Sequence, residues 1–368
     1  MLRRCAVAGE TLLMNPLDSI KPAVRALRGY ALAPHRASLK VNQNENPWDA
    51  PARIKEEVLR RFSERKWSRY GEFVPATLHS RLAAFAGWKP DGVLAGNGSN
   101  ELIQASLMVT MAPGKRVLIS EPTFLLYQQI ATVLGGEVES VPLTRGLQYD
   151  TEALLKTVEE RQPDVTIICS PNNPTGCVIE DDALRALLGA TRGLVIVDEA
   201  YHEFAEHSVV PLLHEHENLI VLRTFSKAMA FAALRMGYLL ASPELVSEIR
   251  KAVLPYSVNL FAQVAAEVAM DHYHTELLPL VKQIIAERER LFRELSDVKG
   301  LTPVSSKGNF MVVKSETDPR RIFTDLLDHD ILVRDVSGYP MLRDYFRFSF
   351  GKPEENDQIL KAIRAICG

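Results

Sequence analysis

The stretch that decides the fold is LVIVDEAYHEFAEHSVVPLLHEHENLIVLRTFSK, residues 194–227. It holds two short apolar runs, Leu194–Asp198 and Leu219–Arg223, and each run leads into polar residues. Short runs rich in valine and isoleucine are typical of strands that are buried on both faces of a parallel sheet. The stretch therefore predicts two central strands of an α/β fold.

Similar apolar runs lie on both sides of this stretch. They are Arg116–Ser120, Glu137–Val141, Val165–Ser170 and Gly237–Ala241. Helical patterns occupy several of the gaps, at Phe124–Leu134 and Asp181–Thr191, and Ile54, Val58 and Phe62 mark an amphipathic helix before them. Strands separated by helices predict a mainly parallel sheet sandwiched by helices.

The pattern changes after Pro255. A long helical stretch, roughly Leu260–Val298, precedes a shorter mixture of strands at Phe310–Lys314, Ile331–Arg334 and Tyr345–Phe350 and helices at Pro319–Asp328 and from Pro353. This mixture predicts a second, smaller α+β domain. We expect an N-terminal arm at residues 1–50 that packs on the small domain, a large domain at 51–258 and the small domain at 259–368.

Composition excludes several classes of protein. The 368 residues are 46% hydrophobic and 24% charged, as in ordinary globular proteins, which argues against a disordered chain. With 43 Lys+Arg and 46 Asp+Glu, the net charge of −3 provides no basic excess for nucleic acid or an anionic membrane. Small-molecule chemistry is the expectation.

The cysteines and the N-terminus bear on compartment and metal content. Cys5, Cys169, Cys177 and Cys367 are too far apart for a zinc pattern, so we expect no metal and a reducing, cytoplasmic location. No apolar run approaches the roughly 20 residues that span a bilayer, and the N-terminus does not resemble a signal peptide. Met14 could equally serve as the start, so the role of residues 1–13 stays open.

Polar clusters follow three of the predicted strands, where ligands gather in open α/β sheets. They are SPNNPTG at 170–176, DEAY at 198–201 and TFSK at 224–227, and GNGSNE at 96–101 precedes a helical pattern. Taken singly, each cluster has a simpler interpretation. The segments rich in asparagine and glycine could be turns, and Ser99 or Asn100 could be a helix N-cap. Lys227 and Arg235 could be exposed surface charges.

Together these clusters contain the parts of a pyridoxal phosphate site. The cofactor's aldehyde needs a lysine, and its ring nitrogen needs a carboxylate that keeps it protonated. Its phosphate needs hydroxyls, backbone donors and an arginine. Lys227, Asp198, the hydroxyls of TFSK and Arg235 satisfy these requirements.

Four motifs carry a resemblance to a known family. RTFSKAMAFAALRMGY at 223–238, SPNNPTG, VDEAYHEF at 197–204 and NENP at 44–47 resemble the fold-type I pyridoxal-phosphate aminotransferases, most closely the histidinol-phosphate aminotransferase family. The likeness runs from about Tyr30 to the last helix. It implies a seven-stranded, mainly parallel sheet in a large domain and a smaller α+β domain.

The resemblance also implies roles for residues around the cofactor ring. Lys227 would bind the cofactor covalently and carry the proton. Asp198 would pair with the ring nitrogen, and Asn173 and Tyr201 would hydrogen-bond the phenolic oxygen. Phe124 would stack on the ring.

The remaining implied residues bind the phosphate and the substrate. Arg347 matches the arginine that grips the substrate's anionic end, and Arg334, Tyr30 and the NENP residue Asn44 match nearby substrate positions. Tyr70 matches a tyrosine that reaches the neighbouring site of a homodimer. The residues that would hold the cofactor phosphate are Ser99, Asn100, Thr224, Ser226 and Arg235.

Two arginines bear on the substrate independently of the family. Arg334 and Arg347 lie on neighbouring strand-like segments, where two guanidinium groups could meet one phosphate dianion, although the pair also suits dicarboxylates such as glutamate. Arg347 lies between Phe346 and Phe348, so on a strand its side chain points away from both aromatics.

The implied activity is transamination of L-histidinol phosphate with 2-oxoglutarate, which yields imidazole acetol phosphate and L-glutamate in histidine biosynthesis. The alternatives are an aromatic amino-acid aminotransferase, a pyridoxal-phosphate decarboxylase of an amino-acid phosphate and a ligand-sensing regulator without catalysis.

Four positions depart from the family pattern. Ala230 and Ala233 replace glycines, Met229 replaces an aromatic residue, and Gly71 stands where proline is common.

Overall fold

The computed structural model describes residues 15–27, 29 and 35–367. Its strands are β1 (Leu39–Lys40), β2 (Val93–Gly96), β3 (Arg116–Glu121), β4 (Glu137–Pro142), β5 (Val165–Cys169), β6 (Leu194–Asp198), β7 (Leu219–Thr224), β8 (Gly237–Leu240), β9 (Leu301–Pro303), β10 (Phe310–Ser315), β11 (Ile331–Leu332), β12 (Arg334–Asp335) and β13 (Tyr345–Ser349). Its α-helices are α1 (Pro22–Ala26), α2 (Ala52–Ser63), α3 (Ala76–Ala86), α4 (Ser99–Thr110), α5 (Leu126–Leu134), α6 (Thr151–Arg161), α7 (Asp181–Ala190), α8 (His202–Ala205), α9 (Pro243–Arg250), α10 (Leu260–Asp271), α11 (Leu278–Ser296), α12 (Pro319–Asp328) and α13 (Pro353–Cys367).

The central sheet has seven strands in the order β2-β8-β7-β6-β5-β3-β4. The pairs from β7 through β4 are parallel, and β8 runs antiparallel to both of its neighbours. The predicted seven-stranded, mainly parallel sheet is therefore confirmed. The strand β2 was not predicted, because its four residues, VLAG, are too short to show a pattern.

Alternate residues of each central strand face opposite helical layers. Val195 and Val197 of β6 pack in the cluster that contains α2, α3, α6, α7 and α10, whereas Ile196 packs in the cluster that contains α4, α5 and α9. All three side chains are buried, and each contributes about 1.5–3 kcal/mol by leaving water. The sheet is therefore held between two apolar layers. Because most of its strands are parallel, their polar carboxyl ends lie at one edge.

The predicted helix over 260–298 is wrong in one respect, because it divides into α10 and α11. The residues between them, Tyr273–Leu277, form a π-helical turn, and Pro279 lies in the first turn of α11. Proline has no N–H and its ring crowds the carbonyl four residues earlier, so a regular α-helix cannot run through this position.

A four-stranded antiparallel sheet, in the order β12-β13-β10-β9, lies in the C-terminal part of the chain. The predicted strand Ile331–Arg334 is wrong as a single strand, because it changes sheets at the buried Val333. Its first part, β11, pairs with β1, and its second part, β12, pairs with β13.

The described part of the first 50 residues contacts both parts of the molecule. The strand β1 pairs with β11, whereas α1 contacts α5 on the central sheet, and Lys21 Nζ donates to the carbonyl of Val133. The boundaries 1–50, 51–258 and 259–368 remain predictions. Among the described residues, no helix has the length and apolar character that crossing a bilayer requires.

Candidate active site

A cavity of about 460 Å³ lies where the carboxyl ends of β5, β6 and β7 meet the start of α4 and the smaller sheet. Parallel strands bring their carboxyl ends to one edge, so residues far apart in sequence converge there. The predicted site residues that line the cavity are Asn44, Ser99, Asn100, Phe124, Asn173, Asp198, Tyr201, Thr224, Ser226, Lys227, Arg235, Arg334 and Arg347.

Lys227 follows the end of β7 and extends its amine into the cavity. Its Nζ donates to the carbonyl of Gln43 at 3.1 Å and lies 5.8 Å from the centre of the Tyr201 ring. Burial, and then the positive charge of Arg347, lowers the pKa of Lys227 to about 8. A larger fraction of the amine is therefore neutral near physiological pH than for an ordinary lysine, which favours a nucleophile or a general base.

Asp198 is the last residue of β6 and is only 4% exposed. Its Oδ2 accepts a hydrogen bond from the hydroxyl of Tyr127 at 2.7 Å, and its Oδ1 accepts one from the backbone N–H of Ala200 at 3.0 Å. Burial raises the pKa of Asp198, while these two donors act in the opposite direction. A cationic N–H placed in the cavity would stabilise the carboxylate.

Hydroxyl and guanidinium groups of three residues that line the cavity, Thr224, Ser226 and Arg235, lie together. The Thr224 hydroxyl donates to Ser226 Oγ at 3.0 Å, and Arg235 Nη1 donates to the same oxygen at 3.2 Å. The helix α4 begins here with Gly98 as N-cap and no side chain capping it, so the alternative with Ser99 or Asn100 as N-cap is wrong. Open backbone donors beside an arginine suit a phosphate.

Gly98 is required by both its backbone and its surroundings. Its φ of 80° lies in the left-handed region, and a Cβ there would meet Arg235 Nη2 at 2.4 Å. The glycine therefore keeps open the approach of Arg235 to the start of α4.

Arg334 and Arg347 are register partners on β12 and β13, so the predicted neighbouring segments are paired strands. Arg347 is 6% exposed, and it donates to Asn173 Oδ1 at 2.6 Å and to the carbonyl of Asn42 at 2.9 Å. Phe346 and Phe348 pack in the core behind it, as the alternation predicts. Two guanidinium groups thus meet at the small-sheet side of the cavity.

Asn44 and Tyr201 connect the N-terminal segment to the strand end of β6. Asn44 Nδ2 donates to the Tyr201 hydroxyl at 3.0 Å, and Asn44 Oδ1 accepts from the Ser349 hydroxyl at 3.2 Å. Burial raises the pKa of Tyr201, so this phenol stays protonated and can donate a hydrogen bond into the cavity.

One predicted residue lies elsewhere, and another cannot be placed. Tyr70 is 82% exposed and stacks on Tyr256, with ring centres 4.5 Å apart, outside the cavity. Tyr30 lies outside the described residues.

The cavity also contains residues that the sequence analysis missed. Tyr127 follows Phe124 by three residues in a helical pattern, which made it indistinguishable from an ordinary core residue. Gln43 contributes a backbone carbonyl, which no side-chain pattern reveals. The other cavity residues that were not predicted are Asn42, Glu45, Cys169, Ala200, Ala232 and Tyr339.

Three of the four positions that depart from the family pattern, Met229, Ala230 and Ala233, lie in the loop that follows Lys227. Ala230 has a φ of 59°, a conformation that glycine adopts without strain. Ala233 lines the cavity, and Met229 is buried in the core. The two alanines therefore add methyl groups to the loop without displacing Lys227 from the cavity.

Comparison with known proteins decides the family. The sequence model of aminotransferase class I and II matches residues 37–363. The chain belongs to this aminotransferase family. It is 38% identical over 352 residues to the histidinol-phosphate aminotransferase of Chlorobium phaeobacteroides, covering 95% of this chain and 97% of the relative. It is 36% identical over 351 residues to that of Chlorobium phaeovibrioides, again covering 95% and 97%.

A solved structure supports the fold of this aminotransferase. The histidinol-phosphate aminotransferase of Sinorhizobium meliloti, solved in complex with pyridoxal-5'-phosphate, superimposes with a TM-score of 0.84 at 23% identity. The match covers 95% of this chain and 97% of that one. The predicted resemblance to the histidinol-phosphate aminotransferase family is confirmed, and so is the fold class.

Proposed function

We propose that this protein is a pyridoxal-phosphate-dependent transaminase of L-histidinol phosphate, with 2-oxoglutarate as the acceptor. The products are imidazole acetol phosphate and L-glutamate. The observation that carries the proposal is that one cavity holds a lysine of lowered pKa, a buried carboxylate and a pair of arginines. The names of the relatives support the choice of substrate.

The chemistry of the donor set fits pyridoxal phosphate. Lys227 would bind the aldehyde, and Asp198 would face the ring nitrogen. The phosphate would lie against Thr224, Ser226 and Arg235 at the start of α4, where no side chain caps the helix. When bound, the cofactor supplies an aldehyde for the amine and a ring that accepts the electron pair left by proton removal.

The protein's own residues would then orient the donor and move one proton. The Arg334 and Arg347 guanidinium groups bind the donor's anionic end and fix its α carbon near Lys227. The neutral Nζ of Lys227 would take the α proton, and its ammonium form would deliver a proton to the carbon of the former aldehyde. Burial lowers the pKa of this amine and so makes the exchange possible near pH 7.

Asp198 stabilises positive charge at the ring nitrogen throughout this exchange. Its carboxylate is buried, so the interaction operates in a medium of low dielectric constant and is correspondingly strong. Tyr201 stays protonated and can hydrogen-bond the phenolic oxygen, as can the Nδ2 of Asn173, whose Oδ1 is bound by Arg347.

The donor preference is tested by comparing kcat/KM for histidinol phosphate with that for phenylalanine, in the wild type and in Arg334→Gln. We expect histidinol phosphate to be preferred, and we expect the substitution to weaken the phosphate donor more than the carboxylate donor. A preference for phenylalanine, or equal weakening of both donors, contradicts the substrate assignment and leaves the aminotransferase assignment intact.

We also propose a homodimer in which Tyr70 reaches the neighbouring site. Tyr70 belongs to an exposed apolar patch with Phe73, Leu254 and Tyr256, and these four residues are 44–82% exposed. Such a patch is typical of a protein interface, and the second copy of the chain is the partner that the family likeness favours.

Mixed subunits test this arrangement. Tyr70→Ala and Lys227→Ala are each expected to be inactive, and mixing them should restore part of the activity, because one site of each heterodimer carries neither lesion. If the subunits exchange and no activity returns, the proposal of a site shared between two subunits is contradicted.

We further propose a cytoplasmic location, because Cys169, Cys177 and Cys367 are free thiols.

A further inference from the structure

Tyr127 makes a contact that the proposed mechanism does not use. It lies on α5, is fully buried and lines the cavity. Its hydroxyl donates to Asp198 Oδ2 at 2.7 Å, while the Ala200 N–H donates to Oδ1. Each carboxylate oxygen can accept about two hydrogen bonds, so one acceptor site on each oxygen remains for a ligand.

The position of the Tyr127 hydroxyl is fixed by packing. The ring meets Phe124 edge to face, with centres 5.6 Å apart and planes at 86°, and it packs in the apolar cluster beneath one face of the sheet. A rigid aromatic ring loses little entropy when it holds a hydrogen bond, so the donor is preorganised.

We propose that Tyr127 is a positioning residue, whose hydroxyl keeps Asp198 ionised and oriented toward the ring nitrogen of the bound cofactor. The role in catalysis rests on the proposed function, because it takes that nitrogen as the partner of Asp198. A hydrogen bond from a phenol to a carboxylate is charge-assisted and favours the ionised form of the acid.

The balance of charge around Asp198 makes this donor important. Burial and the neighbouring carboxylate of Glu199 raise the pKa of Asp198, while the Tyr127 hydroxyl, the Ala200 N–H and Lys227 lower it. The other titratable groups that face Asp198 are Cys169 on the paired strand β5, Tyr149 and Tyr201. Without the Tyr127 hydroxyl, the pKa of Asp198 rises and the proton shared with the ring nitrogen shifts toward the carboxylate.

Tyr149 provides a matched control. Its ring is also buried, and its hydroxyl donates to the backbone carbonyl of Cys169, the register partner of Asp198, at 2.5 Å. Tyr149→Phe therefore removes a buried hydroxyl beside the same strand ends but leaves both donors to Asp198 in place.

The first experiment uses the protein without cofactor. Infrared difference spectra follow the Asp198 carboxyl band, which is assigned by its loss in Asp198→Asn. We expect its titration midpoint to move to higher pH in Tyr127→Phe and to stay at the wild-type value in Tyr149→Phe. An unchanged midpoint in Tyr127→Phe overturns the proposal, whether or not the protein binds pyridoxal phosphate.

The second experiment uses the enzyme loaded with pyridoxal phosphate that carries a heavy-nitrogen label in the ring. Nitrogen NMR should show a protonated ring nitrogen in the wild type and in Tyr149→Phe, and a shift toward the neutral ring in Tyr127→Phe. The kcat should fall about ten- to a hundredfold with little change in KM. An equal loss in both variants would show a merely structural role and overturns the proposal.

A second variant covers the case in which Tyr127→Phe does not fold. A fluorinated tyrosine at position 127 keeps the ring and its packing but is a stronger hydrogen-bond donor. We expect it to lower the titration midpoint of Asp198, opposite to the effect of phenylalanine, and a midpoint that does not move downward contradicts the proposal. A wild type that binds no pyridoxal phosphate would contradict the proposed function instead, and the cofactor-free titration separates the two failures.

Discussion

Replacing Arg223 with methionine is expected to lower the free energy of unfolding by about 3 kcal/mol. Arg223 precedes Thr224 on β7, and Glu199 follows Asp198 at the end of β6. Their side chains are 6% and 2% exposed, and Arg223 Nε donates to Glu199 Oε2 at 2.9 Å. The pair therefore joins the two strand ends that carry the carboxylate and hydroxyl sides of the cavity.

The magnitude follows from what remains around Glu199. Breaking a buried pair by removing one partner costs about 3–5 kcal/mol, because the other charge is left uncompensated. Glu199 keeps hydrogen bonds from the Val209 N–H at 2.6 Å and from the Ser208 hydroxyl at 3.0 Å. These two neutral donors stabilise the carboxylate in part, which sets the expected loss at the lower end of the range.

Urea unfolding of the enzyme measures this loss. The double variant Glu199→Gln, Arg223→Met should recover part of it, because it leaves no unpaired buried charge. The control is Lys251→Met, which breaks the exposed pair of Lys251 with Glu248 and should cost less than about 0.5 kcal/mol. A loss below about 1 kcal/mol for Arg223→Met, or a double variant less stable than either single one, would refute the reasoning.

Three further predictions concern single residues. Asp198→Asn should still bind cofactor but lose about a hundred- to a thousandfold in turnover, measured by steady-state kinetics, because a neutral amide no longer favours the protonated ring. Glu203 is buried, which raises its pKa to about 8 from 4.5. Stability should therefore fall as pH rises between these values, and Glu203→Gln should flatten that fall in urea titrations at several pH values. Ala230→Gly should stabilise the protein by up to about 1 kcal/mol, measured by thermal unfolding, because the relief of a left-handed φ exceeds the entropy cost of glycine.

Each of these predictions has an outcome that contradicts it. Near-normal turnover of Asp198→Asn would contradict the pairing of Asp198 with the ring nitrogen. An unchanged pH slope in Glu203→Gln would show that Glu203 is ionised in the folded protein at neutral pH. A lower melting temperature for Ala230→Gly would show that this loop conformation carries no strain.

The central sheet and most of the candidate site could be predicted from the sequence, for one physical reason. Parallel strands are buried on both faces, so they stand out as apolar runs, and their carboxyl ends must meet at one edge. Asp198 ends one such run, and Lys227 follows the end of the next. The direction of the Arg347 side chain could likewise be predicted, because side chains alternate along a strand and its neighbours Phe346 and Phe348 are apolar.

The remaining features depend on tertiary contacts that leave no local pattern. The π-helical turn at Tyr273–Leu277 interrupts an otherwise continuous helical period, and the strand at Ile331–Arg334 changes sheets without a break in its apolar sequence. The bond from Tyr127 to Asp198 joins residues 71 positions apart. Tyr70 lies outside the cavity of its own chain, and its proposed role in the site of a second subunit rests on the family resemblance.

The most direct test of the account is to follow the amino group itself. Histidinol phosphate labelled with heavy nitrogen is incubated with 2-oxoglutarate and the enzyme loaded with pyridoxal phosphate, and the glutamate formed is analysed by mass spectrometry. We expect labelled glutamate with the wild type and none with Lys227→Ala. Unlabelled glutamate with the wild type, or label transfer that survives Lys227→Ala, would contradict it.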